Sequence, residues 1–405
     1  MTSQTRDRDT TGPGPPDAGA RRGGASNGGR TIARLGRVVR RAIRGWASPA
    51  RVARKPGAAP GIELANLTRL PTTGQVYVTC TDYGPDQVQV HDIASPEALA
   101  EDHRPEWATV RWINIDGLSD MSFIQAIARK YQLHPLAIED VLHTPQRPKV
   151  DNYPGNETQH ARLFVVVRMF QLVDGHLQSE QISMFLGNRT VLTFQETHGD
   201  VWDPIRQRLA TAGTRLRNND ASFLLYALID AIVDHCFPIL DKYCDRIERL
   251  EDALRGGPKP VVMQEIQEIK RELLLLRRQI APLRDVVQSM QREPHECISE
   301  TTRLYLRDVY DHVVHTIDLL ETYREFAQGL ADSYNSAVAI RANEVMRLLT
   351  LIATIFIPIT FVTGLFGMNF QLPWQDHPWS FGVVVLGCAG AVGGMLLYFR
   401  RRGWL

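Results

Sequence analysis

Residues 348–370 read LLTLIATIFIPITFVTGLFGMNF. No Asp, Glu, Lys or Arg interrupts these 23 residues, and a helix of that length crosses a hydrocarbon core of about 30 Å. The run ends in Gly367-Met368-Asn369. A glycine, a flexible thioether and a carboxamide make a poor helix-packing surface, but they suit a polar ring at the mouth of a passage. A second uncharged run, WSFGVVVLGCAGAVGGMLLYF, occupies 379–399. Arg400, Arg401 and Arg402 follow it, Arg341 and Arg347 precede the first run, and the loop 371–378 has no Lys or Arg. By the positive-inside rule both chain ends lie in the cytoplasm and the loop lies outside. The expectation is a multi-pass protein of the plasma (inner) membrane whose bulk is cytoplasmic.

Upstream, the charge is uneven. Residues 1–60 hold 13 Lys and Arg against 3 Asp and Glu, so a head of +10 in a chain of +1 leaves −9 for the remainder. The head is rich in Gly, Pro and Arg, a composition that does not bury a core. Within it, TIARLGRVVRRAIRGW has the pattern of a basic amphipathic helix that would lie on anionic lipid; a solvated tail and an organelle transit peptide fit the same composition. No nucleic-acid partner is expected. The five cysteines form no CxxC pair, which reads as free thiols in a reducing compartment.

Between head and spans, two patterns follow one another. Over 61–215, QVYVTC, TVRWINI, RLFVVVRMFQL, QISMFLG and TVLTFQE read as strands, with FIQAIARKYQL and PLAIEDVL as helices between them. This is a cytoplasmic α/β domain, and it carries no dinucleotide, P-loop or HExxH motif. Over 216–347 the period becomes helical. One helix is expected through FLLYALIDAIVDHCFPILDKYCDRIERLEDAL and another through PVVMQEIQEIKRELLLLRRQIAPLRDVVQSM. A third starts near Ser299 and meets no proline until Pro358. Extended to Phe366 it would be roughly 100 Å long, a stalk entering the membrane as one piece. The fold class is therefore an α+β membrane protein: head (1–60), α/β domain (61–215), helical stalk (216–347), first span (348–370), outer loop (371–378), second span (379–399) and a basic tail (400–405).

On the first span, Asn343, Met346, Thr350, Ala353, Ile357, Thr360 and Gly364 share one stripe at about 100° per residue. Two arrangements account for polar and small residues in line: helix packing through small residues, or several copies around a common axis. The stripe holds no carboxylate, so a pore lined by it would suit an ion that keeps its water. Mg²⁺ dehydrates reluctantly. A ring of Asn369 carboxamides with Gly367 carbonyls would then meet the hydrated ion at the entrance.

These residues resemble the CorA family of magnesium and cobalt channels. The resemblance rests on Gly367-Met368-Asn369 at the end of the first of two C-terminal spans, on NEVMRLLTLIATIFIPITFVTGLFGMNF around it, and on the ending FRRRGWL. It extends to EDVLHTPQRPKV, SEQISMFL, FQETHGDVWDPIRQRL and LRDVYDHV, and so covers roughly 61–405. It implies a homopentamer with a cytoplasmic funnel, Mg²⁺ and Co²⁺ as cargo, and Mg²⁺ as regulator. It further implies a selectivity filter at Gly367, Met368 and Asn369, and a pore and gate formed by Asn343, Met346, Leu349, Ala353, Ile357, Thr360 and Gly364. Asp140 and Asp308 match the family's regulatory cation site at subunit interfaces, with Glu139 and Asp311 beside them, and Asp332 matches an acidic funnel ring. Phe366 stands where the family carries tyrosine, and the outer loop QLPWQDHPW keeps only Asp376, with His377, to attract cations. A zinc transporter of the same superfamily and a non-transporting membrane-anchored scaffold are the alternatives. An anchor needs neither a second span nor a polar stripe, and no residue constellation suggests an enzyme.

Overall fold

The computed structural model describes residues 74–155, 160–368 and 379–404. The basic head, the outer loop with Asp376, and Asn369 lie outside the described residues. Seven strands form one sheet: β1 (Tyr77–Tyr83), β2 (Val88–Asp92), β3 (Val110–Asp116), β4 (Lys149–Tyr153), β5 (Arg162–Val173), β6 (His176–Leu186) and β7 (Thr190–Gln195). Their order is β2-β1-β3-β7-β6-β5-β4, with β3–β7 parallel and every other pair antiparallel. Both faces are covered, which explains the near-continuous apolar runs. On β5, Leu163, Val165, Val167 and Met169 enter one core, while Phe164 and Val166 enter the other. Asp174 and Gly175 turn the β5–β6 hairpin with φ of 52° and 78°. Positive φ at both central residues matches the right-handed twist of the strands they join.

One face of the sheet packs on short helices, α1 (Pro96–Glu101), α2 (Met121–Lys130) and α3 (Pro135–Leu142). The other packs on α4 (Asp203–Ala210), α5 (Ala221–Asp234), α6 (Cys236–Arg255), α7 (Pro260–Arg292) and the first half of α8 (Glu300–Phe366). The expected strands and helices are present. Two strands (β2, β4) and two helices (α1, α4) were not foreseen, because they are short and carry little periodic apolar signal. The single helix expected over FLLYALIDAIVDHCFPILDKYCDRIERLEDAL is divided at His235. Pro238 has no N–H to offer the carbonyl of Asp234, and its ring crowds that carbonyl.

The helix α8 has 67 residues, so it is about 100 Å long. Ser299 starts it, its hydroxyl accepting the N–H of Thr302 at 3.3 Å. The buried side chains Leu306, Val309, Val313, Thr316, Leu320, Ala327, Leu330 and Ala331 follow helical spacing on one face. Beyond Ala331 no residue of α8 is buried. Arg277 pairs with Glu321 at 2.7 Å and Lys270 reaches Gln328, so α7 runs antiparallel along the stalk. Among the described residues three helical stretches are long and apolar enough to span a bilayer. Burial separates them: 67 % of the apolar window in Ala221–Arg255 is inside the protein, against 0 % for α8 and for Phe381–Arg401 in α9 (Ser380–Arg401). The first is a core helix pair and the other two are the spans.

Candidate functional site

The C-terminal half of α8 has two unlike faces. Leu351, Ile355, Ile359 and Val362 are half-buried, and everything else from Leu348 to Met368 is exposed. Ile355, Ile359 and Val362, with Pro358 and Phe366, line a cavity of about 280 Å³ whose other wall is Val384, Gly387, Cys388, Ala391, Val392 and Met395 of α9. This is the face turned to the second span. At about 100° per residue, Asn343, Met346, Ala353, Ile357, Thr360 and Gly364 fall on the opposite side. The polar stripe is thus the face that α9 leaves open, and Leu349 sits at its edge.

The chemistry of the stripe is that of acceptors. Thr350 and Thr360 donate their hydroxyl protons to the carbonyls of Met346 and Phe356, each at 2.8 Å. Their oxygens keep lone pairs for a partner outside the helix. Pro358 has no N–H for the carbonyl of Thr354, which frees a further acceptor. The helix ends with the Gly367 N–H on the Thr363 carbonyl at 2.9 Å. Glycine would let the backbone leave helical geometry here, but Gly367 stays in the helical region (φ −84°, ψ −8°). A β-carbon there would lie 3.2 Å from the Thr363 oxygen, so glycine permits a close-wound terminus rather than an unusual φ. Met368 follows, exposed.

At the other end of the span, Arg347 lies over the Trp404 ring at 5.5 Å and donates to the Gly403 carbonyl. Trp404 stacks on Phe399 at 5.6 Å. The basic tail therefore ties α9 to α8 beside Met346 and Leu349.

The acidic residues occupy different elements. Asp140, on α3, accepts Lys149 Nζ at 2.6 Å and Gln146 Nε2 at 2.8 Å. Lys149 also holds Asp151 at 2.6 Å. Burial lowers the pKa of that ammonium, but its hydrogen bonds to the two carboxylates outweigh burial and leave it raised. Glu139 is half-buried on the same helix, and Asp311 and Asp332 are exposed on α8. Asp332 accepts Gln328 Nε2 at 3.1 Å. Asp308 is 65 % exposed and stands 4.0 Å from His312 Nε2. Among the described residues no close acid–histidine grouping contains both Asp140 and Asp308.

Asp308 does have company that sequence reasoning missed. His312 Nδ1 lies 3.5 Å from Asp230 and 3.3 Å from Asp234, both on α5. Burial, then Asp234, with Asp308 adding to them, raises the Asp230 carboxyl to about 6. Asp230 Oδ1 and His312 Nδ1 are both shut off from solvent without a hydrogen-bond partner of good geometry. Three carboxylates around one imidazole, with two orphaned buried atoms, fit the donor set of a divalent cation. The spacing signal was present as Asp230/Asp234 and Asp308/His312, four apart on each helix. Nothing in one dimension says that the two pairs face each other.

The family profile described as "CorA-like Mg2+ transporter protein" matches residues 107–401. A cobalt/magnesium transport protein CorA of Thermotoga maritima is 40 % identical over 303 residues, 74 % of this chain and 84 % of that protein. A zinc transport protein ZntB of Pectobacterium atrosepticum is 28 % identical over 187 residues, 46 % of this chain and 57 % of that protein. In fold, the complete structure of the CorA magnesium transporter from Methanocaldococcus jannaschii superposes with a TM-score of 0.70 at 22 % identity, over 82 % of this chain and all of that one. The sheet, the stalk and the two apolar C-terminal helices are thus shared architecture, and the chain belongs to the CorA-like Mg²⁺ transporter family.

Proposed function

We propose that five copies of this chain surround an axis with the α8 stripe lining a pathway for hydrated Mg²⁺, and for Co²⁺, into the cytoplasm. The observation that carries this reading is that the stripe lies opposite the α9 face and is exposed from Asn343 to Gly364. Lipid gives a line of Thr, Asn and Gly no reason to be there, whereas facing copies meet it with water or with each other. Asn369 with Gly367 and Met368 forms the outer ring, Met346, Leu349 and Ile357 form the apolar constriction, and Asp332 forms a ring in the funnel. Inward transfer of a divalent ion gains about 4.6 kcal/mol per 100 mV of inside-negative potential, so no further energy source is required.

Cytoplasmic Mg²⁺ regulates the pathway. Asp308, Asp230 and Asp234 with His312 on one copy, and Asp140 with Glu139 on the next, repel each other until a cation sits between them. A bound ion holds adjacent copies together and keeps the constriction shut, and its loss opens it. Both chain ends lie in the cytoplasm, and the basic head rests on anionic lipid. Mg²⁺ and Co²⁺ are preferred to Zn²⁺ because likeness to the cobalt/magnesium protein is higher and covers more of the chain than likeness to the zinc protein.

The test is flux into liposomes under an inside-negative potential, followed with Mg²⁺, Co²⁺ and Zn²⁺ indicators. Voltage-driven Mg²⁺ entry that Asn369→Ala abolishes is expected. Zn²⁺ entry in preference to Mg²⁺ would assign the zinc reading, and no flux of any ion would leave a scaffold.

A further inference from the structure

A pocket of about 220 Å³ opens where the α2–α3 corner meets β4 and the start of β5, lined in part by Gln132, His134, Tyr153, His160, Arg162 and Phe185. Strand register builds its cationic wall. Tyr153 of β4 pairs directly with Arg162 of β5, so the phenol and the guanidinium share one face of the sheet. The guanidinium lies over Gly187: a β-carbon there would stand 2.9 Å from Arg162 Cζ and meet Nη1 even more closely. Glycine at 187 therefore makes the room in which Arg162 rests. His134 caps α3, its Nδ1 accepting the Leu136 N–H at 3.2 Å. That fixes the neutral ring's proton on Nε2 and leaves a donor at the positive end of the helix. The same ring stacks on Tyr153 at 4.8 Å.

Among the described residues no Asp or Glu lines this pocket. Arg162 Nη1 donates to the Ala161 carbonyl at 3.2 Å, and among the described residues no carboxylate pairs with the side chain. Burial, with no carboxylate to offset it, pushes the guanidinium below its ordinary pKa. A desolvated guanidinium without an anion is half of a charge-assisted pair. The neighbouring side chains supply further N–H and O–H donors, from His134, His160, Gln132 and Tyr153. The volume falls below the roughly 300–1,000 Å³ of sites that enclose drug-sized ligands, and suits one or two phosphoryl groups. We propose that this pocket is a phosphoryl-binding site, with Arg162 as its principal ligand and His134 and His160 completing the donor set. None of the residues lining this pocket belongs to the α8 stripe or to the acids proposed to sense Mg²⁺.

Calorimetric titration of the full-length protein in detergent and Mg²⁺-free chloride buffer tests it, with inorganic phosphate, pyrophosphate and short-chain phosphatidic acid as separate probes. Saturable binding of at least one probe is expected, weakened at least tenfold by Arg162→Gln and partly restored by Arg162→Lys. Gly187→Ala, which retains the arginine but displaces it, weakens binding in the same direction. Uptake of phosphate or pyrophosphate identifies a soluble ligand, and uptake of phosphatidic acid alone identifies a lipid headgroup. Saturable binding of none of the three overturns the proposal, as does affinity that Arg162→Gln and Gly187→Ala both leave within twofold of the parent in variants that keep its circular dichroism melt.

Discussion

Asp82 and Arg111 show what a single residue contributes here. Arg111 grips both Asp82 oxygens, at 2.8 and 2.6 Å, with side-chain exposures of 3 % and 0 %. Removing Asp82 strips the buried Arg111 of its two shortest bonds and leaves it, as a charged partner, only the partly exposed Asp102 carboxylate at 3.2 Å, so Asp82→Ala is expected to cost about 3 kcal/mol, read as a lower thermal midpoint. Asp308 is the opposite case, exposed and cheap to replace but proposed to act on the ion. Asp308→Ala is expected to leave flux intact and to weaken its inhibition by internal Mg²⁺ at least tenfold; unaltered inhibition would remove it from the sensor. Asp230 adds a pH dependence whose sign is fixed by its raised pKa of about 6. The folded protein holds that proton more tightly than the unfolded chain does, so the charged form costs stability above pH 6. The cost fades as pH falls from 6 to 3.8. Protons and Mg²⁺ compete for the same carboxylate, so half-inhibition should require more Mg²⁺ at pH 5.5 than at pH 7.5. A flux titration at the two values decides it.

At the scale of elements, α8 is the part whose two faces matter. Its buried positions in the stalk, Leu306 to Ala331, follow the packing of α5, α6 and α7, and its C-terminal half presents one face to α9 and the other to nothing among the described residues. If copies face each other across water, cysteines at Ala353, Ile357, Thr360 and Gly364, placed in a Cys388→Ser background, should react with a water-soluble thiol reagent. Cysteines at Ile355, Ile359 and Val362 should not. Labelling of neither set would mean that the stripe lies in lipid. The length of α8 and the position of its only proline were legible because apolar periodicity and proline placement are local properties. The division at His235 was missed, although Pro238 was in view. The strength of the surrounding apolar pattern masked a breaker that acts on the carbonyl four residues earlier.

For the whole molecule, the cation response proposed for the sheet-and-stalk body arises between copies, so it belongs to the assembly rather than to one chain. Mg²⁺ should raise the thermal midpoint of the assembled protein, and this rise should shrink in Asp308→Ala; equal rises in both would separate Mg²⁺ binding from that acid. The sequence alone determined the two spans, the α/β body, the hundred-ångström helix and the polar stripe, because each depends on the order of apolar and polar residues along one element. Only the tertiary structure decided that the apolar stretch beginning at Ala221 is core rather than a third span, that α9 covers the side of α8 away from the stripe, and that Asp230 and Asp234 meet His312 beside Asp308. Those facts depend on which elements come together, and the burial and electrostatic neighbours that follow belong to contacts between residues far apart in the chain.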